Sequence, residues 1–92
     1  MKTITEIQKL SIMLSVTCIP FDFHPLYDGW QICYPNGENR VCDAICHSGS
    51  YGHENGLLEI MGLVDGEADD EVEGYLTADE VFNRIVKHYF SN

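Results

Sequence analysis

Basic side chains are scarce in this sequence: 5 Lys and Arg stand against 15 Asp and Glu, a formal charge of -10 over 92 residues. A polyanion approaching such a surface meets repulsion instead of a counterion-releasing patch, which argues against direct nucleic-acid binding. Long apolar runs are missing as well. The stretch from Ile12 to Ile19 is broken by Ser15 and Thr17, and Glu6 lies between Lys2 and Lys9, so the amino terminus reads as neither a membrane span nor a secretory signal. The expectation is a cytoplasmic chain without a membrane role, in which Cys18, Cys33, Cys42 and Cys46 remain reduced thiols. No phosphate-cradling glycine loop, nucleophile elbow or His-Glu-x-x-His motif occurs, so neither an enzyme nor a bound cofactor is expected.

What is present suffices for one domain over residues 1–92, at 45% apolar content. Ile4, Ile7, Leu10, Met13 and Leu14 recur at spacings of three and four, predicting a helix from Ile4 to about Ser15 that Thr3 and Glu6 would cap. Pro20 and Pro25 stop it, and an extended segment is expected near Phe21 to His24. Trp30, Ile32 and Tyr34 alternate with Gln31 and Cys33, the period of a strand. After the turn formers from Pro35 to Asn39, a second strand from Arg40 to about Cys46 returns as a hairpin, with Val41 and Ile45 on one face and Cys42, Ala44 and Cys46 on the other. Residues 47–56, rich in glycine and serine, read as a loop. The apolar run from Leu57 to Val64 fits a strand or a short helix, with the strand preferred. Thr77 and Glu80 form a capping box for a last helix whose apolar face carries Val81, Phe82, Ile85, Val86 and Tyr89. The expected fold is α+β: an N-terminal helix, an antiparallel sheet of two or three strands including a hairpin, and a C-terminal helix packed on the sheet, with both helices on one face.

The acids are concentrated. From Glu54 to Asn83 there are ten and no base. Six of them, Asp65, Glu67, Asp69, Asp70, Glu71 and Glu73, form the candidate contact surface for a basic partner, where a block of negative charge would give fast, salt-sensitive association or occupy a groove meant for nucleic acid. A solvated loop leading into a capped helix accounts for the same charges. A cation site is the alternative: Asp69, Glu71, Glu73 and Glu80 fall at positions 1, 3, 5 and 12 of an EF-hand-like calcium loop, with Gly74 at position 6. Glutamate at positions 3 and 5 would crowd the ion, and the entering helix would have to run through Gly62 and Gly66.

A zinc site would draw on Cys33, Cys42, Cys46, His47 and His53. Cys42 and Cys46 on one strand lie about 13 Å apart, too far to share an ion without a bend. Buried free thiols are the simpler reading. Cys46 and His47 are neighbours pointing to opposite strand faces, which does not make a nucleophile and its base. Trp30, Tyr27 and Tyr34 are either core aromatics or an exposed contact patch, and burial separates the two.

Tyr27-Asp-Gly-Trp-Gln-Ile, Gly49-Ser-Tyr-Gly, Leu57-Leu-Glu-Ile-Met-Gly-Leu and Leu76-Thr-Ala-Asp-Glu-Val-Phe together cover about half of the chain. Through them it resembles small uncharacterised proteins encoded by phages and prophages of Gram-positive bacteria. The resemblance carries no catalytic or binding residue. It implies a role in binding host machinery, including defence nucleases, by protein contact.

Overall fold

The computed structural model describes residues 4–63 and 72–91. In chain order they form α1 (Glu6–Val16), β1 (Asp22–Leu26), β2 (Gly29–Tyr34), β3 (Cys42–Cys46), a 3-10 turn (His53–Asn55), β4 (Leu58–Met61), β5 (Val72–Leu76) and α2 (Ala78–Tyr89). The strands make one antiparallel sheet in the order β1-β2-β3-β4-β5. The α+β class, the two terminal helices and the hairpin agree with the sequence reading, and Leu58–Met61 is a strand. The sheet has five strands, not two or three. The short extended segment became β1, and β5 lies in a stretch where Glu73 and Gly74 disrupt the alternation that marks a strand.

Thr5, not Thr3, caps α1. Its hydroxyl accepts from the Gln8 N–H at 3.3 Å and the Gln8 side chain accepts from the Thr5 N–H at 3.1 Å. Thr3-x-x-Glu6 and Thr5-x-x-Gln8 both fit the capping pattern, and the structure selects the second. At α2 the expected box is present: Glu80 Oε1 accepts from the Thr77 N–H at 3.0 Å, and the Thr77 hydroxyl accepts from the Glu80 N–H at 3.3 Å.

Both helices cover the same face of the sheet. Ile7, Leu10 and Leu14 from α1 and Ala78, Val81 and Ile85 from α2 share a buried cluster with Ile32, Tyr34, Cys42, Ala44, Leu58, Ile60 and Leu76. The register follows from side-chain alternation, because Ile32 faces Ala44, Tyr34 faces Cys42 and Ala44 faces Ile60 across the strands. Small residues on β3 let the helices approach the middle of the sheet. Among the described residues no helix is long and apolar enough to cross a membrane.

The opposite face carries a polar ladder across three strands. Asp43 Oδ2 accepts from Arg40 Nη1 at 3.1 Å and from Gln31 Nε2 at 2.8 Å. A carboxylate only accepts, so the Gln31 amide must turn its oxygen toward His24 Nε2, 2.7 Å away. His24 Nε2 therefore carries a proton.

Candidate functional site

Three connections meet at one end of the sheet: the β1–β2 turn at Tyr27 and Asp28, the 47–57 connection between β3 and β4, and the end of β5 leading into α2. Both helices also begin there, since Glu6 Oε1 accepts the Ala78 N–H at 2.6 Å and Lys9 Nζ lies 3.3 Å from Asp79 Oδ2. We call this the loop end.

The 47–57 segment is held by its own hydrogen bonds. Ser50, buried, receives the His47 N–H on its Oγ at 3.0 Å and donates back to the His47 carbonyl at 2.8 Å. His47 Nδ1 accepts the Gly49 N–H at 3.0 Å, and Glu59 Oε1 accepts the Tyr51 N–H at 2.8 Å. Asp28 Oδ1 accepts the Ser48 N–H at 3.0 Å, which joins the hairpin turn to the loop. Hydrogen bonds from Ser48 hold the Asp28 carboxyl below the usual carboxylate range. The Leu57 N–H returns to the Gly52 carbonyl at 2.9 Å and closes the segment.

Three tyrosines project from this frame: Tyr27 is 86% exposed, Tyr51 63% and Tyr75 54%. Two of them sit on backbone that L-residues avoid. Tyr27 has φ of 54° at the first position of a two-residue hairpin turn, where glycine is usual, and its ring meets the His47 ring edge-on at 5.1 Å. Tyr75 has φ of 61° in a bulge, where the pairing shifts between Ile60–Glu73 and Leu58–Leu76. The bulge lies against the loop: the Tyr75 N–H donates to the Tyr51 carbonyl at 3.3 Å, and a Cβ on Gly74 would overlap Tyr51 Cβ. Nearby, Trp30 is 44% exposed with its ring 5.1 Å from Phe23. Of the three aromatics in the sequence-based patch, Tyr27 and Trp30 are exposed and Tyr34 is buried, with its hydroxyl 2.8 Å from His88 Nδ1.

Charge among the described residues is polarised along the strands. The loop end holds Glu6, Asp28, Glu54, Glu59, Asp79 and Glu80 against Lys9, which is paired with Asp79. The remainder holds Asp22, Glu38, Asp43 and Glu73 against Arg40, Arg84 and Lys87. Arg40 pairs with Asp43 and Arg84 with Glu73, so three of the four described bases lie in ion pairs.

The six acids expected to make a contact surface are only partly in view. Asp65, Glu67, Asp69, Asp70 and Glu71 lie outside the described residues. Glu73 is half-buried in β5, where both carboxylate oxygens receive Arg84, at 2.7 and 2.9 Å. Of the calcium-loop alternative, Asp69 and Glu71 likewise lie outside. Glu80 closes the α2 cap, and β4 stands where the entering helix would begin.

The cysteines and histidines do not gather. All four thiols are free. Cys33 lies on the polar-ladder face opposite Asp43, whereas Cys42 and Cys46 lie on the helix face. Among the described residues no three His, Cys, Asp or Glu side chains are grouped to hold a metal ion. Burial pushes the Cys33 and Cys46 thiols up and Cys42 up to about 12, the reverse of an activated thiolate. His47, beside Cys46 in sequence, uses its Nδ1 for Gly49 and its ring for Tyr27.

Sequence reasoning missed Tyr51 and Tyr75 and read 47–56 as an ordinary loop. The available signal was compositional, since tyrosine among serine, glycine and asparagine is the mixture of protein-binding loops. Comparison with protein families, curated proteins and solved structures finds no match for this chain.

Proposed function

We propose that this chain is a non-enzymatic protein of the small phage type that acts by contact with a basic surface on a host protein. The supporting observation is the disposition of its few cations. Among the described residues Lys9, Arg40 and Arg84 are each bound to a carboxylate of the chain itself, so the other described acids have little internal counter-charge and their field extends outward. Such a field steers association with a positive surface and repels nucleic acid. In this reading Asp65, Glu67, Asp69, Asp70, Glu71 and Glu73 contribute to the attraction, Glu73 from within its pair with Arg84. A host nucleic-acid-binding or defence protein, with a groove built for polyanions, is the class of partner that fits.

The test is an affinity capture from bacterial lysate at about 0.05 M and about 0.5 M salt, conditions on either side of effective screening. The expected result is capture of a basic protein that is lost at high salt and weakened when Glu67, Asp69, Asp70 and Glu71 are neutralised. Capture indifferent to both changes would overturn the proposal.

A further inference from the structure

The charge on this chain says what kind of surface it attracts, but not where the partner makes close contact. Tyr27 in the β1–β2 turn, Tyr51 in the 47–57 connection and Tyr75 near the end of β5 share the loop end with the carboxylates of Asp28, Glu54 and Glu59, which form no salt bridge among the described residues. From β1 to β5 the strands span about 19 Å at their usual spacing, the width of a small protein contact. The presenting frame is already hydrogen-bonded through Ser50, Asp28 and Glu59, so docking on it orders little chain. Tyrosine supplies a flat ring at low entropic cost. A guanidinium is the cation that stacks on such rings while also forking onto a carboxylate, whereas an ammonium is a compact, strongly hydrated charge.

We infer that the loop end docks an arginine-presenting protein surface, with the rings of Tyr27, Tyr51 and Tyr75 stacking on guanidinium groups and Asp28, Glu54 and Glu59 balancing their charge. This rests on the proposed contact with a basic protein and adds the contact residues and the preferred cation. Charge complementarity selects the occupant: among the described residues the only Lys or Arg at this end is Lys9, already paired with Asp79, so an acidic surface would be repelled.

The experiment titrates the full chain with hexa-arginine and, separately, with hexa-lysine, following backbone amide and tyrosine-ring signals by NMR. The expected shifts concentrate at Tyr27, Tyr51, Tyr75 and the 47–54 backbone, with arginine favoured over lysine about two- to fivefold at equal charge. Replacing all three tyrosines by serine should remove that preference while leaving the rest of the spectrum in place. If the triple variant fails to fold, Tyr51→Ser alone should reduce it.

Shifts confined to residues 64–73, or equal binding of the two peptides, would overturn the loop-end assignment and leave the proposed function standing. Absence of any shift with either peptide would overturn both. Concentration-dependent shifts at the same tyrosines without peptide would assign the surface to a second copy of the chain and overturn the inference.

Discussion

Arg84 binds Glu73 with two parallel hydrogen bonds, Nη1 to Oε1 at 2.7 Å and Nη2 to Oε2 at 2.9 Å, joining the middle of α2 to β5. The Arg84 side chain is only 15% exposed, so its charge relies on acceptors within the chain, the Glu73 carboxylate and the Leu63 carbonyl among them. Replacing Glu73 by Gln is expected to cost about 1–3 kcal/mol in urea unfolding, since a desolvated guanidinium loses its bidentate acceptor. Glu38→Gln, on an exposed turn, should fall within about 0.5 kcal/mol of the parent.

Tyr27 should show a conflict between stability and binding. At φ of 54° a bulky residue is strained, and glycine adopts that backbone freely. Tyr27→Gly is expected to raise the urea midpoint, by about 0.5–1 kcal/mol in stability, and to lower the affinity for an arginine-rich peptide. A residue kept only for folding would not separate the two measurements.

Gly29 provides a control on the hairpin. A Cβ there would overlap the carbonyl oxygen of Cys46 on the neighbouring strand, a backbone atom that cannot swing aside. Gly29→Ala should destabilise by about 1–3 kcal/mol, the range for overpacking, visible as a lower thermal midpoint.

Stability should fall in alkali. Cys42 is pushed from 9.0 up to about 12 by burial, and burial also raises Cys33, Cys46 and Tyr34. Below the ordinary thiol pKa both folded and unfolded chains keep the proton, and the contribution is complete. As pH rises from about 9 toward 12 the unfolded chain ionises first, and stability is lost across that window. Unfolding midpoints measured from pH 8 upward should decline, with a shallower decline in Cys42→Ala.

Much of this architecture was legible because local signals were strong. Thr77 and Glu80 mark the start of α2, and the alternation around Ile32 marks β2. β5 escaped because its strand is made by pairing with β4 across a bulge, and the Glu73, Gly74 and Tyr75 needed for that bulge break the local pattern. The loop end was hidden for a related reason. Whether an aromatic is core or surface depends on which strands the helices cover, so Tyr34 and Trp30, four residues apart in one strand, part company only in three dimensions. The acidity was plain in the sequence. Its polarity along the sheet among the described residues was not, because that depends on both helices beginning at the same end.

The measurement that bears most directly on contact by charge is calorimetric binding of hexa-arginine to the full chain at about 0.05 M and about 0.5 M salt, with hexa-glutamate as the opposite probe. Contact by charge predicts saturable binding that weakens about tenfold or more at the higher salt, and none for hexa-glutamate. Salt-independent affinity, or equal binding of the two peptides, would contradict it.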